Sequence, residues 1–210
     1  MTVLLPLYVY PADDPGAWTG AARYGPAVTA VVNVHNGPGD GYDPEYGRAT
    51  LALANAGAGR LGYVDLGYAR RSLEKVHADI AGWRRYPVDG VFFDQVPADA
   101  AALAWVGRAL APAGGRVVLN PGVRPAPGYA ALADLVCTFE GPWPVYRTEP
   151  AEPDWPNAAH LVYAVPPEEI AAAGRILHRR VAHGLVTDLD MPNPYAGLPA
   201  PMRGTAPAPR

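Results

Sequence analysis

The sequence predicts an α/β protein, a compact (β/α)8 TIM barrel in which some helices are short or missing. Apolar runs recur eight times, at 4–10, 27–34, 60–66, 88–94, 116–120, 134–140, 159–164 and 184–188, and most of the segments between them read as helices. The runs are continuous instead of alternating, as expected of strands covered on both faces. Strand and helix in alternation imply parallel strands joined by right-handed crossovers. Eight such strands close a barrel better than they fill an open sheet, and 210 residues lie at the small end of that fold.

Taken in order, the first strand lies in the apolar stretch Met1 to Tyr10, which lacks the basic start and long apolar centre of a secretion signal. The segments after strands one and five, 11–26 and 121–133, are where helices should be short or absent. Helices are predicted from Pro44 to Ala56, Arg70 to Trp83, Pro97 to Ala111 and Pro167 to Val181. Each begins near Pro, Asp or Ser, and most end near Gly or Pro. The longest irregular stretch, Gly141 to Asn157, follows strand six, and a loop of that length in a compact domain is expected to carry function. A single domain over 1–198 and a disordered Pro/Ala-rich tail over 199–210 complete the expected layout.

Half of the residues are hydrophobic, 18% are charged and the formal net charge is −3, which describes a soluble globular domain with a sizeable core. A nucleic-acid partner would need a clustered basic field, but Lys75 is the sole lysine and the arginines are scattered. No segment reaches the roughly 20 apolar residues of a membrane span, so no membrane partner is expected. The compartment stays open between the cell interior and secretion after removal of a leader. Cys137 stands alone inside an apolar strand and reads as an inert core residue.

Several motifs fail on inspection. Gly57-Ala58-Gly59-Arg60-Leu61-Gly62 has the spacing of a dinucleotide fingerprint, but it follows a helix and precedes a strand, the reverse of what a phosphate site needs. His178 and His183 do not share a helix face as zinc ligands would. The Asp188 to Asn193 stretch lacks the glycine turn and distal glutamate of a calcium loop. There is no Gly-x-Ser-x-Gly nucleophile elbow. No metal and no cofactor is expected.

Two carboxylates carry the functional signal: Asp94 closes Gly90-Val91-Phe92-Phe93-Asp94, and Glu140 closes Leu135-Val136-Cys137-Thr138-Phe139-Glu140. An ionisable group abutting a buried strand is costly unless the site uses it. Inward side chains from alternate strands of a barrel share a layer, so strands four and six can bring the pair face to face across the mouth. Paired carboxyls flanking a glycosidic bond are how most glycosidases work. Phe92, Phe93 and Phe139 would supply a low-polarity wall that raises one pKa. The bland alternative is that each acid caps a helix or pairs with an arginine such as Arg124 or Arg147.

Other strand ends add Tyr8, Asn33, Asn36, Tyr63, Asp65, Asn120, Tyr163 and Asp188, a polar rim suited to a polyhydroxylated ligand. Trp143, Tyr146 and Trp155 are candidates for stacking on sugar faces, or else pin their loop to the barrel. Asn33 and Asn120 have a structural alternative too, satisfying loop backbone.

At these residues the chain resembles the spherulation-specific family 4, the spherulin-4 group, related to glycoside hydrolase family 135 and more distantly to the endo-α-1,4-polygalactosaminidases. The matching segments run almost end to end: Pro6-Leu7-Tyr8-Val9-Tyr10-Pro11, Asn33-Val34-His35-Asn36-Gly37-Pro38-Gly39, Leu61-Gly62-Tyr63-Val64, the Asp94 strand, Asn120-Pro121-Gly122, Phe139-Glu140, Asn193-Pro194-Tyr195 and Leu198-Pro199. The resemblance implies a (β/α)8 barrel that hydrolyses galactosamine- or N-acetylgalactosamine-containing polysaccharide, with Asp94 and Glu140 in the positions of the catalytic acids.

Two departures stand out. The family commonly has Asp then Glu after the strand-four phenylalanines, whereas this chain has Asp94 then Gln95, and glutamine cannot exchange a proton at neutral pH. Gln95 is therefore expected to leave the strand or point elsewhere, and to bind or tune. Val34 and His35 replace a Pro-Asn type sequence. The expected activity is a two-carboxylate hydrolase with Glu140 as general acid/base and Asp94 as nucleophile or electrostatic partner. The alternative is a carbohydrate-binding barrel impaired in catalysis, and a third reading is a structural or sporulation-associated protein with no sugar ligand. The expected partner is a polysaccharide or oligosaccharide, and a monomer is expected.

Overall fold

The computed structural model describes residues 2–149 and 154–204. Eight strands close into an all-parallel barrel in sequence order: β1 (Thr2–Leu7), β2 (Val28–Val32), β3 (Gly59–Asp65), β4 (Gly90–Asp94), β5 (Arg116–Asn120), β6 (Leu135–Pro142), β7 (Ala158–Tyr163) and β8 (His183–Val186). The outer layer holds α1 (Pro15–Ala22), α2 (Pro44–Asn55), α3 (Leu73–Gly82), α4 (Leu103–Leu110), the single turn α5 (Trp143–Tyr146) and α6 (Ile170–Arg180). The TIM-barrel expectation holds. The segment after strand one forms the eight-residue α1, and β5 is followed only by the 3-10 turn Pro127–Ala131.

Local chemistry sets the helix starts. Asp14 and Asp43 stand just before α1 and α2 with proline at the first helical position. The Asp14 carboxylate accepts from Ala17 N–H at 2.9 Å, and that of Asp43 from Glu45 N–H at 2.8 Å. Each satisfies donors that the first turn leaves unpaired. Where the sequence predicted longer helices, the first turn is tightened: the 3-10 turns Ala100–Ala102 and Pro167–Glu169 precede α4 and α6.

Strand periodicity sorts the core. On β7, Ala159 and Leu161 belong to the main cluster, while Ala158 and Val162 face outward into a second cluster with Trp143, Tyr146, Val165, Ala173, Leu177 and Val181. That second cluster seats α5 and α6 on the barrel wall.

The first residues of the segment expected to form a disordered tail, from Pro199 on, are folded. Ala200–Met202 form a 3-10 turn, and Met202 is buried beside Leu198. Asp188 accepts from Ala200 N–H at 2.7 Å, and Pro201 O accepts from the Tyr24 hydroxyl at 3.2 Å. Residues 205–210 lie outside the described residues. β1 and β8 share only two paired positions, and the return of the chain past Tyr195, whose carbonyl accepts from Tyr8 N–H at 2.8 Å, reinforces this seam.

Gly62 on β3 lies against the buried Trp83, whose indole N–H donates to Tyr63 O at 2.8 Å. A Cβ at Gly62 would come within 2.6 Å of three indole atoms. Gly62→Ala is expected to cost about 1–3 kcal/mol through overpacking, measured by urea denaturation. A stability equal to that of the parent chain would show that the wall here is loosely packed.

Candidate active site

The carboxyl ends of β3 to β6 bring four side chains together. The Asn120 amide donates to Asp94 Oδ1 at 2.8 Å and to Glu140 Oε2 at 2.6 Å. Its own carbonyl oxygen accepts from Gly122 N–H at 3.1 Å, which fixes the amide so that both hydrogens face the acids. Because one nitrogen serves both, the bonded oxygens lie no further apart than the two bonds laid end to end, about 5.4 Å. The Tyr63 hydroxyl donates to Asp94 Oδ2 at 2.9 Å, and the Tyr195 hydroxyl to Glu140 Oε1 at 2.5 Å. Tyr8 stands edge-on to Tyr63 and Tyr195, with ring centroids 5.7 and 5.6 Å away.

Glu140 reaches this cluster because β6 is irregular. Pairing with β7 runs through Val136 and Cys137, skips Thr138 and resumes at Phe139. A strand alternates faces at every residue, so Cys137, which lies near both acids, would share its face with Phe139 if the strand were regular. The extra residue reverses the phase. Glu140 turns into the mouth, while Phe139 turns outward onto Tyr146, with ring centroids 4.8 Å apart. Bulges re-aim side chains in this way next to active sites.

Burial pushes the Asp94 carboxyl up to about 6, and the negative Glu140 pushes in the same direction. Phe92, stacked on Tyr63 from the same face of β4, supplies the apolar floor, whereas Phe139 faces away. Burial, followed by the charge of a nearby acid, raises Tyr8, Tyr63 and Tyr195 above the ordinary phenol range, led by Asp94 at the first two and by Glu140 at Tyr195. All three therefore remain protonated and able to donate.

The other expected residues divide. Tyr163 lines the mouth with Tyr8, Glu140 and Tyr195. Gln95 leaves the strand at once with a φ of 50°. Asn33 serves its own turn, its side-chain oxygen accepting from Gly37 N–H at 2.9 Å. Asn36 is exposed and donates to Asp65 at 3.3 Å, and Asp65 accepts from Gly67 N–H at 2.6 Å. These two hold a loop. Asp188 is a correction: it anchors the returning chain through Ala200 and Arg203. Trp143 is a second one. Only 3% exposed, it donates its indole N–H to Glu169 at 2.8 Å under α6, so it cannot stack on a ligand. Tyr146 is fully buried as well. Arg124 and Arg147 lie against Asp154 and Glu169, not against the two acids. Sequence reasoning missed the hydroxyl of Tyr195, although its Asn-Pro-Tyr segment was in view, because it belongs to a loop and not to a strand end.

Among the described residues, no group of three or more His, Cys, Asp or Glu side chains is placed to hold a metal, and no helix is long and apolar enough to cross a membrane.

The raised Asp94 pKa carries a stability consequence. Its contribution is fully present below the unfolded value near 4 and is lost as pH rises through about 6, costing the folded state about 2–3 kcal/mol above that point. Asp94→Asn, isosteric with the protonated acid, is expected to gain stability over the parent between about pH 5 and pH 8, as followed by urea melts. A difference that does not vary with pH would show that Asp94 titrates normally.

The sequence model of the spherulation-specific family 4 matches residues 2–207. Spherulin-4 of Physarum polycephalum is 34% identical over 146 residues, a match that spans 66% of this chain and 44% of that protein, so the chain spans less than half the length of this curated relative. The crystal structure of Aspergillus clavatus Sph3 in complex with GalNAc aligns with a TM-score of 0.84 at 28% identity, covering 96% of this chain and 94% of the other. With a family match over nearly its whole length and the same closed barrel as a solved relative, this chain belongs to the spherulation-specific family 4.

Proposed function

We propose that the protein is a glycoside hydrolase that cleaves galactosamine- or N-acetylgalactosamine-containing polysaccharide, with Asp94 and Glu140 as its working pair. The observation that carries this reading is the shared Asn120 amide, which keeps two inward acids close at the mouth of the barrel. The sugar class is supported by the similarity to Sph3, whose structure holds GalNAc.

In this reading Asp94 starts protonated, since its carboxyl titrates near 6, and gives its proton to the glycosidic oxygen as the bond to the leaving sugar breaks. Glu140 starts as the anion and attacks the anomeric carbon. Water, losing its proton to Asp94, then releases the covalent sugar and regenerates both groups. This reverses the roles expected from the sequence, where Glu140 was the acid/base. The close spacing suits retention, for which carboxyls stand roughly 5–5.5 Å apart. The Tyr63 hydroxyl can accept as well as donate, so it holds Asp94 in either protonation state. For an N-acetylated sugar, the acetamido oxygen can take the place of Glu140 as nucleophile.

Gln95, standing where the family resemblance implies a second acid, favours a second reading in which the barrel binds sugar without cleaving it. Reducing-end release from galactosamine-rich polysaccharide, acetylated and deacetylated, separates the two. Asp94→Asn and Glu140→Gln are each expected to lower turnover by about a thousandfold or more, with the folded state intact. Turnover of the parent should fall on the alkaline side as Asp94 loses its proton near pH 6. Binding with no product at any pH would leave the binding barrel standing, and near-parental rates in both variants would remove the pair from the chemistry.

A further inference from the structure

We infer that Tyr68, on the loop after β3, is an aromatic platform that sets how a sugar chain lies across the mouth of the barrel, a role that rests on the proposed substrate class. Three observations place it there. The ring is 52% exposed, although a large aromatic gains little from standing in water. It lines a cavity of about 480 Å³ with Tyr8, Glu140, Tyr163, Met191 and Tyr195. It is also held out at a conformational cost: Gly67, Tyr68 and Ala69 have φ of 55°, 53° and 64°, three left-handed residues in succession of which only the first is glycine.

Such backbone persists only where its surroundings over-determine it. Here they do. Tyr68 N–H donates to Gln95 O at 2.8 Å, Gly67 N–H to Asp65 Oδ1 at 2.6 Å, Ala69 N–H to Leu66 O at 3.1 Å and Arg71 Nη1 to Asp65 O at 2.5 Å. The strand end after Asp94, where Gln95 also turns left-handed, is thereby tied to the loop that carries the ring. Arg70 lies 5.6 Å from the ring centroid, a cation against the π face. An exposed ring on the wall of the cavity that Glu140 also lines matches the C–H face of a pyranose. Tyr68 thus takes the part that the sequence assigned to Trp143.

The test uses the full chain carrying Glu140→Gln, so that sugar is bound and not consumed, titrated calorimetrically with galactosamine oligosaccharides of increasing length, deacetylated and N-acetylated. Adding Tyr68→Phe should leave affinity within about twofold, and adding Tyr68→Gly should weaken it about tenfold or more for oligomers long enough to reach the ring. Tyr68→Gly should also hold or raise the melting temperature, because glycine takes the left-handed conformation freely, a result that a merely structural ring would not give. Unchanged affinity in Tyr68→Gly, or a melting temperature that falls together with affinity, overturns the assignment. If the chain with Tyr68 intact binds none of these sugars, the proposed substrate class fails first, and the platform falls with it.

Discussion

Asn120 donates both amide hydrogens to acids, one on each side, and the arrangement of the mouth follows from that. Two carboxylates in a half-buried site repel each other, and without a shared donor they would swing apart toward water. The amide cannot be protonated or deprotonated near neutral pH, so it holds the pair through any change in their charge. Its orientation is set in turn by Gly122 N–H, so the loop after β5 fixes the geometry of the acids on β4 and β6. Tyr63 and Tyr195 complete the frame with one hydroxyl on each acid.

The scaffold is arranged to keep that frame still. β3, β4 and β5 pair over five positions at each junction, whereas β5–β6 and β1–β8 share only two each, and the β1–β8 seam is reinforced by the returning chain that also delivers Tyr195. One segment thus closes the barrel and supplies a donor to Glu140. Left-handed non-glycine residues stand in the loops and not in the strands, with Tyr68, Ala69 and Gln95 above β3 and β4 and single ones, Asn36 and Ala164, after β2 and β7.

The barrel was legible because its signals are local: apolar runs of strand length, proline and aspartate at helix starts, and the alternation of the two. Asp94 was legible for the same reason, as a charge that a buried strand end does not tolerate without use. Glu140 was visible as a position, but its direction depends on an extra residue at Thr138 that nothing in the local sequence marks. Trp143 misled because tryptophan in a proline-rich loop looks exposed, and only the packing of α6 and Glu169 buries it. Asp188 and Tyr195 exchanged importance, since each is defined by the path of the returning chain, a contact between distant segments. Tyr68 gave no signal because backbone conformation, not residue type, sets it in the mouth.

The bulge in β6 has two faces. Thr138, the residue left over, points outward, where its hydroxyl donates to Asp154 at 2.6 Å, and His160 on β7 meets the same carboxylate at 2.9 Å. The irregularity that aims Glu140 inward thereby moors the far end of the segment that runs from β6 to β7. The bulge thus lets an odd spacing between Cys137 and Glu140 keep both side chains on the inner face while placing the extra residue on the outer one. Loss of Thr138 would let a regular strand pair Phe139 with His160 and Glu140 with Leu161 just as they pair now, leaving the acid in the mouth but taking the hydroxyl from Asp154, so what the extra residue adds is the mooring.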